Sequence, residues 1–413
     1  MNRRQLMYVA AAVMALSALF FGCKLFKQPQ ANALVNDRYA VIVSLDGFRH
    51  LYLDAYDTPS LDAMAAEGVS APLSPAYPSN TFPNHYSMAT GLYPAHHGIV
   101  NNRFWVEEMN DYYKLGDMKR VLNPDFYLGE PIWNTAEQQG VKAGSFFWVG
   151  SETAIQNMRP SYWKSYDSSV PFTARADSVL AWLQKPEAVR PHLITWYLEE
   201  PDGAAHHYGV GSQQVADMVL TVDSVVGYFR RELAQLPIAD KVDFMVVSDH
   251  GMADYDPSKV VNLWDYLPVD SFSFVVEGVP ALLYAKHPQY VDEAMKVLAD
   301  VPHISAYRTE DVPERFHYND SDRPGDIVII ADLGGYVFFR EHPEFTNRAG
   351  HGFDNSLPEM QGIFFGVGPS FAVGKEVSAT PNVTIYPLLS RLLGLTSAPN
   401  DGLESDVDKL LGN

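Results

Sequence analysis

The chain has 413 residues, of which 47% are hydrophobic and 13% aromatic, and its formal net charge is −20 at pH 7. A chain of this size and composition buries a large core, which excludes an intrinsically disordered protein. The acidic balance disfavours a general nucleic-acid groove, so an anionic substrate would need local positive charge, which bound divalent metal ions commonly supply.

The N-terminus has the layout of a secretory signal. Arg3 and Arg4 precede an apolar run from about residue 6 to residue 21, which is too short for a comfortable membrane span. Cys23, the only cysteine in the sequence, follows this run behind a glycine. It resembles a bacterial lipoprotein cleavage site, or else it has no special role. We expect residues 1–36 to be a leader and linker, and the mature protein to be exported, either to the bacterial periplasm or as a membrane-anchored lipoprotein, without disulfides.

From about Arg38 onward, short apolar runs alternate with amphipathic stretches. Residues 39–45, 192–198, 242–248 and 362–366 are typical of buried strands, and residues 59–67, 172–183 and 213–236 are helical candidates. This alternation predicts an α/β fold with a mainly parallel central sheet and helices on both faces. Short strands and several prolines interrupt the alternation in about residues 260–344. We expect this stretch to be a small inserted subdomain within a catalytic domain that spans residues 37–413.

Asp and His residues follow the predicted strand ends in short turns that contain glycine. They are Asp46, Asp202, His206, Asp249, His250 and, just before the last strand, His351. Ligands bind outside the carboxyl ends of the strands in open α/β sheets, so we expect these side chains to share one edge. Asp and neutral His are ordinary zinc ligands, and two neighbouring metal ions need about six of them.

Each of these residues alone has an ordinary structural explanation. An Asp after a strand is often a helix N-cap, and a solitary His is often a hydrogen-bonded structural residue. The spacing of Asp202 and His206 puts both on one face of a helical turn, and six such residues at one sheet edge favour a metal centre. Zinc is the expected metal, although carboxylate oxygens also admit manganese or a similar ion.

Thr81 is the candidate nucleophile. It lies just before a plausible helix, where a hydroxyl is close to free backbone N–H groups that can hold a phosphoryl oxygen. Threonine is a poor nucleophile at its ordinary pKa, and coordination to a metal ion lowers that pKa. Without the metal ligands, we would interpret Thr81 as an N-cap.

Seven segments carry a more specific signal. They are SLDGFR at 44–49, TFPNH at 81–85, TGLYPAHHGIVNN at 90–102, FWVGSE at 147–152, DGAAH at 202–206, SDHGM at 248–252 and GHGFDN at 350–355. In this order, they resemble the nucleotide pyrophosphatase/phosphodiesterases of the alkaline phosphatase superfamily. The resemblance runs from about residue 39 to residue 395 and implies an alkaline phosphatase-like fold.

The resemblance also implies two zinc ions and a phosphothreonine intermediate. One zinc is expected at Asp202, His206 and His351, and the other at Asp46, Asp249 and His250, with Thr81 reaching the second. The substrate is expected to be a nucleotide phosphodiester or phosphoanhydride, and the product a nucleoside 5′-monophosphate.

Three further residues match substrate-binding positions of the family. Asn102 matches a residue that hydrogen-bonds a nonbridging phosphoryl oxygen. Phe82 and Tyr166 match aromatic residues that sandwich a nucleobase in nucleotide-cleaving members, although core packing would equally explain aromatic residues beside a strand end.

Three alternative functions remain open. A phosphate monoesterase would use extra cationic side chains, whereas the segment after Phe146 has Glu152 and no Lys or Arg, which disfavours a dianionic substrate. A lipid-headgroup phosphodiesterase is a second alternative, against which Phe82 and Tyr166 argue only weakly. The third is a surface binding protein in which metal ions serve structure alone.

Overall fold

The computed structural model describes residues 37–412, so the predicted leader at residues 1–36 and Cys23 lie outside the described residues. The strands, in chain order, are β1 (Tyr39–Leu45), β2 (Val69–Ser74), β3 (Arg103–Val106), β4 (Asp111–Lys114), β5 (Ala143–Phe146), β6 (Tyr162–Lys164), β7 (Leu193–Leu198), β8 (Val242–Val247), β9 (Ala253–Asp254), β10 (Val260–Asn262), β11 (Phe272–Val276), β12 (Ala281–Ala285), β13 (Ile304–Arg308), β14 (Ile327–Ala331), β15 (Tyr336–Phe338), β16 (Ala349–Gly350), β17 (Gly362–Val367), β18 (Lys375–Glu376) and β19 (Thr380–Pro381). The α-helices are α1 (Tyr52–Ala55), α2 (Pro59–Glu67), α3 (Thr81–Thr90), α4 (Pro94–His97), α5 (Met118–Val121), α6 (Ile132–Gln138), α7 (Phe172–Leu183), α8 (Asp202–Tyr208), α9 (Gln213–Leu233), α10 (Pro288–Leu298), α11 (Ile385–Leu392) and α12 (Glu404–Leu411).

The predicted strands belong to one central sheet, with the order β18-β2-β17-β8-β1-β7-β5-β6 and β19 paired to β2. β1 lies between β7 and β8 and is parallel to both, and β5 is parallel to β7 and β6. β17 runs antiparallel to β8 and β2. It does so because the chain enters it from the edge where β8 ends, without a helical crossover. The prediction of a mainly parallel α/β sheet is confirmed, and β17 is the exception.

Helices cover both faces of this sheet, which is why its central strands are buried throughout and mostly apolar. All residues of β1 and β8 are buried. Along β1, Ala40 and Ile42 pack in one hydrophobic cluster with residues of α3, α6 and α11, whereas Val41 and Val43 pack in another with residues of α7 and α9. Packing on both faces holds the strand ends in fixed positions.

Part of the stretch expected to be an insertion forms a second, antiparallel sheet with the order β11-β12-β14-β13. One face, which includes Leu283 and Ile327, shares a hydrophobic cluster with Leu298 of α10. The other face, which includes Leu282 and Val328, belongs to a cluster of the central sheet. The boundaries 260–344 stay a prediction. Within residues 37–412, no helix combines the length and the apolarity needed to cross a membrane.

Candidate metal centre and active site

The carboxyl ends of β1, β7 and β8 meet at one edge of the sheet. Asp46 directly follows β1, Asp249 lies two residues after β8, and Asp202 begins α8 after the end of β7. The Asp202 N–H donates to the Asp46 carbonyl over 3.1 Å, and the Gly47 N–H donates to Asp249 Oδ1 over 3.1 Å. Gly47 has a φ of 63°, and a Cβ there would lie 2.9 Å from the Asp202 Cβ. Glycine therefore allows the two turns to approach this closely.

Each of the three aspartates keeps one buried oxygen without a hydrogen-bond partner among residues 37–412. These atoms are Asp46 Oδ1, Asp202 Oδ1 and Asp249 Oδ2. The second oxygen of Asp46 accepts a hydrogen bond from the Tyr197 hydroxyl over 2.5 Å. Buried polar atoms are normally paired, because leaving one unpaired is costly. The side-chain nitrogens nearest to these oxygens belong to histidines, as His250 Nε2 does at 3.0 Å from Asp249 Oδ2. Carboxylate oxygens in this setting fit divalent cations, for which carboxylates are good ligands.

The three candidate histidines each present Nε2 to these carboxylates. His206, His250 and His351 all donate Nδ1–H to a backbone carbonyl 2.8 to 3.0 Å away. That bond selects the tautomer in which Nε2 carries the lone pair, as a zinc ligand requires. Burial, together with the charges on His250 and His206, also lowers the pKa of His351 well below its ordinary value, so this ring is neutral at pH 7.

The ligand atoms form two overlapping groups. Those of Asp46, Asp249 and His250 lie within 4.8 Å of one another, as do those of Asp202, His250 and His351. The first group is the set expected for one zinc ion. The second contains His250 where the sequence analysis expects His206. The His250 and His351 rings stack at 3.8 Å, which brings His250 into both groups.

His206 lies beside the second group. Its Nε2 is 3.4 Å from Asp202 Oδ2, and its ring is 5.1 Å from the His351 ring. The corresponding distance from His351 Nε2 to Asp202 Oδ1 is 3.7 Å. Asp202 therefore faces both histidines, as the spacing of residues 202 and 206 on one helical turn predicts.

Burial and mutual repulsion dominate the electrostatics of the aspartates. Burial, followed by the charges on Asp249 and Asp202, raises the pKa of Asp46 well above its ordinary value. Burial also raises the pKa of Asp202. It would raise the pKa of Asp249 too, but the charges on His250 and His85 outweigh it and hold that pKa well below its ordinary value. Cations at this position would relieve the repulsion.

Thr81 is the first residue of α3, and its Oγ1 lies 3.2 Å from His250 Nε2. This helix start has fewer free N–H groups than the sequence analysis expects. The Phe82 N–H donates to Asn102 Oδ1 over 3.1 Å, and Pro83 has no N–H. The hydrogen bond to Phe82 leaves Asn102 Nδ2 as a donor without a partner in the described part of the chain. Asn102 thus offers the hydrogen-bond donor that we expected from the backbone.

The two expected base-binding aromatics lie in different environments. Phe82 is half-buried, and its ring is 6.1 Å from that of Tyr113. Tyr166 is 45% exposed, with its ring edge-on to Phe147 at 5.3 Å and 6.2 Å from that of Tyr197. No ring contact joins Phe82 to Tyr166 in residues 37–412. Core packing therefore explains part of the position of Phe82 but does not explain Tyr166.

Three supporting residues were not predicted from the sequence: Asn80, His85 and Tyr197. Asn80 Oδ1 accepts a hydrogen bond from one of the candidate histidine ligands over 2.9 Å. His85 Nδ1 lies 2.9 Å from the Thr81 carbonyl and 3.3 Å from Asp249 Oδ2. The four-residue spacing from Thr81 could have indicated His85, because such residues share a helix face. Nothing in the apolar run of β7 distinguishes Tyr197 from its core neighbours.

Comparison with known sequences relates the chain to a family of phosphodiesterases. The family model described as "Type I phosphodiesterase / nucleotide pyrophosphatase" matches residues 40–354. Human ectonucleotide pyrophosphatase/phosphodiesterase family member 1 is 35% identical over 404 residues, which cover 95% of this chain and 44% of the human protein. A venom phosphodiesterase of Crotalus durissus collilineatus is 34% identical over 387 residues, which cover 90% of this chain and 46% of the venom protein. The chain thus spans less than half the length of these relatives.

Solved structures that are similar to this chain belong to the same family as its sequence relatives. Murine ectonucleotide pyrophosphatase/phosphodiesterase 5 superposes with a TM-score of 0.85 at 31% identity, covering 90% of this chain and 100% of the murine chain. An inactive threonine-to-alanine form of that murine protein, in complex with AMP, superposes with a TM-score of 0.86 at 30% identity, covering 91% of this chain and 100% of the other. The chain therefore belongs to the type I phosphodiesterase/nucleotide pyrophosphatase family, as its motifs predict.

Proposed function

We propose that the protein is a two-zinc hydrolase that cleaves nucleotide phosphodiester or phosphoanhydride bonds and releases nucleoside 5′-monophosphates. The observation that carries this proposal is the convergence of three aspartates, His250 and His351 beside the Thr81 hydroxyl, with an unpaired buried oxygen on each aspartate and with His206 next to Asp202. Membership of the family supports it. The complex of the murine relative with AMP supports a nucleoside monophosphate as the product.

The proposed zinc ligands are Asp46, Asp249 and His250 for one ion and Asp202, His206 and His351 for the other. The free carboxylate oxygens and the fixed Nε2 lone pairs support this assignment. When bound, the ions would lower the pKa of the threonine hydroxyl and of a water molecule and balance the charge on the phosphoryl oxygens.

Thr81 is the proposed nucleophile. Its hydroxyl gives its proton to solvent, Oγ1 forms a bond to phosphorus, and the bond between phosphorus and the leaving oxygen breaks, so that the leaving group departs with the bonding electrons. Water then cleaves the phosphothreonine, which restores the hydroxyl and releases the nucleoside monophosphate. Asn102 would donate from Nδ2 to a nonbridging oxygen as negative charge develops there. The Phe82 N–H supports this role, because its bond to Asn102 Oδ1 determines which end of the amide is free.

Phe82 and Tyr166 are proposed to hold the nucleobase between their rings. The 45% exposure of Tyr166 and the absence of a direct contact between the two rings in residues 37–412 support an open slot. Aromatic rings stack on any base, so this contact favours nucleotides over lipid headgroups without selecting one nucleotide.

A diester fits the charge around the candidate metal centre better than a monoester. All ion pairs of Asp46, Asp202 and Asp249 within the described chain are with histidines, and no Lys or Arg lies within 4.0 Å of them. A dianionic monoester would therefore find no cationic side chain at the aspartates to balance its additional charge.

We also propose that the protein is exported. The signal layout of residues 1–36 and the similarity to ectoenzymes and to a venom enzyme support export. Periplasmic location and lipidation of Cys23 are the two forms that the leader predicts, and fractionation of the producing cells would distinguish them.

Turnover of three chromogenic substrates tests the function. We expect kcat/KM for p-nitrophenyl thymidine 5′-monophosphate to exceed that for p-nitrophenyl phosphate by roughly 100-fold or more, about 2.7 kcal/mol of transition-state binding. A preference for p-nitrophenyl phosphate would contradict the diester assignment. A preference for p-nitrophenylphosphorylcholine would replace the nucleotide with a lipid headgroup.

A further inference from the structure

A fully buried arginine lies behind the exposed ring of Tyr166. We propose that the ion pair between Arg175 and Glu199 positions Tyr166 and thereby determines how tightly the enzyme binds substrates that carry a nucleobase. This inference rests on the proposed function and adds to it two positioning residues that would not touch the substrate.

Arg175, on α7, is 0% exposed, and a buried guanidinium is costly unless its donors are paired. Its two terminal nitrogens bind both oxygens of Glu199, with Nη2 donating to Oε1 over 2.8 Å and Nη1 to Oε2. Nη1 also donates to the Tyr197 carbonyl over 3.2 Å, and Nε donates to the Val170 carbonyl over 3.0 Å. One side chain thus joins the end of β7 to the loop that carries Tyr166.

Phe147 provides a second connection between Arg175 and Tyr166. The guanidinium carbon lies 5.0 Å from the centre of the Phe147 ring and 4.9 Å from that of Phe172. Phe147 has a φ of 71°, in the left-handed region that a bulky side chain adopts only where its surroundings enforce it. The Tyr166 and Phe147 rings form a T-shaped pair with their centres 5.3 Å apart. Arg175 therefore supports the strained residue against which Tyr166 rests.

Glu199 links this support to the candidate metal centre. It lies directly after β7, three residues before Asp202, and the hydroxyl of Tyr197 in the same strand binds Asp46. The distance from Tyr166 to the phosphoryl site therefore depends on the same strand end that carries the ion pair. A bidentate fork suits this purpose, because its planar geometry constrains orientation as well as distance.

The test compares two substrates with the same reacting group. Arg175→Lys keeps the positive charge but cannot donate two parallel hydrogen bonds to Glu199. For p-nitrophenyl thymidine 5′-monophosphate, we expect KM to rise roughly tenfold, the loss of about one base-stacking contact, while kcat changes little. For methyl p-nitrophenyl phosphate, which has no base, we expect both constants to stay unchanged. Arg190→Lys is the matched control, because Arg190 forms its own pair with Glu187 at 2.8 Å, and it should alter neither substrate.

A double-mutant cycle makes the test specific to Tyr166. In a Tyr166→Ala background, Arg175→Lys should cause no further rise in KM for the nucleotide ester. Glu199→Gln should repeat the selective rise, and it replaces Arg175→Lys if that variant does not fold. An equal loss on both substrates, or a full additional loss in the Tyr166→Ala background, would overturn the inference. A wild-type protein that cleaves neither substrate would instead overturn the proposed function.

Discussion

Buried carboxylates in two regions of this protein differ in how their oxygens are hydrogen-bonded. Asp223 on α9 is 1% exposed, and it accepts hydrogen bonds of 2.9 to 3.1 Å from the backbone N–H groups of Ser60 and Leu61 at the start of α2. Asp46 and the other two site aspartates each keep one oxygen unpaired within residues 37–412. Burial raises the pKa of both Asp223 and Asp46, so neither burial nor the shift identifies a functional site. The oxygen without a hydrogen-bond partner is the feature that distinguishes the three aspartates from Asp223 and supports the proposed metal centre.

Two histidines differ in the same way in the hydrogen bonding of their ring nitrogens. His97 is buried and uses both ring nitrogens, with Nε2 3.1 Å from the Pro83 carbonyl and Nδ1 accepting from the Ile99 N–H over 3.2 Å. His351 uses only Nδ1 in this way, and its Nε2 faces the carboxylate of Asp202. This difference supports a structural role for His97 and the proposed metal-ligand role for His351.

The largest effect on activity should come from substitution of Thr81, whose hydroxyl lies next to the three aspartates that have an unpaired oxygen. Thr81→Ala should lower kcat by roughly 1000-fold or more, because no nucleophile remains, while zinc content and the urea unfolding curve stay unchanged. Thr90→Ala is the matched control in the same helix, since the Thr90 hydroxyl donates to the Tyr86 carbonyl over 2.8 Å. Turnover by Thr81→Ala within tenfold of the wild type would disprove the nucleophile assignment.

The next largest effect is a loss of stability at acid pH that we attribute to the buried His97. Burial lowers the pKa of His97 to about 3, whereas the unfolded chain titrates near the ordinary value of about 6.5. Below pH 6.5 the unfolded state takes up the proton first, so this stability is present above pH 6.5 and is lost as the pH falls towards 3. Between pH 6.5 and 4.5 the free energy of unfolding should fall by roughly 2 to 3 kcal/mol from this group. Urea unfolding of His97→Gln should show a correspondingly weaker pH dependence.

His96 is the matched control for that experiment, because its shift has the opposite sign. Burial would lower the pKa of His96, but its hydrogen bonds to Asp401 and Asp320 outweigh burial and raise it. Its contribution is therefore present at acid pH and is lost as the pH rises through the raised pKa. His96→Gln should be less stable than the wild type at pH 5 and similar to it at pH 9. If the stabilities of His97→Gln and His96→Gln depended on pH in the same way, the opposite pKa shifts of the two histidines would be disproved.

A smaller change in the free energy of unfolding is expected when the two kinds of buried carboxylate are replaced by Asn. In protein treated with a chelator, Asp46→Asn should raise the free energy of unfolding by about 1 kcal/mol, because it removes one charge from a repelling cluster. Asp223→Asn should lower it by about 1 kcal/mol with or without zinc, because an amide NH2 donor would replace the Oδ2 atom that accepts from the Ser60 N–H. Urea unfolding with and without zinc measures both. If both variants lose stability equally under chelation, the site aspartates are ordinary structural residues.

The sequence predicted the parts of the site that depend on strand ends. Asp46 and Asp249 follow apolar runs, and parallel strands place such residues at one edge. The alternation of elements did not indicate that β17 is antiparallel, because direction depends on where the chain re-enters the sheet. Arg175 and Asp223 lie in amphipathic helices, where a charged residue ordinarily predicts a solvent-facing position. Their burial depends on partners that are distant in sequence, such as Glu199, and no local pattern predicts it.

The zinc content per chain is the decisive measurement for the proposed two-metal centre. We predict two zinc ions per chain in purified wild-type protein, two in Thr81→Ala and Asp223→Asn, and at most one in Asp249→Asn, measured by elemental analysis of folded samples. An active wild-type protein without stoichiometric metal, or an Asp249→Asn variant that keeps both ions, would contradict the account.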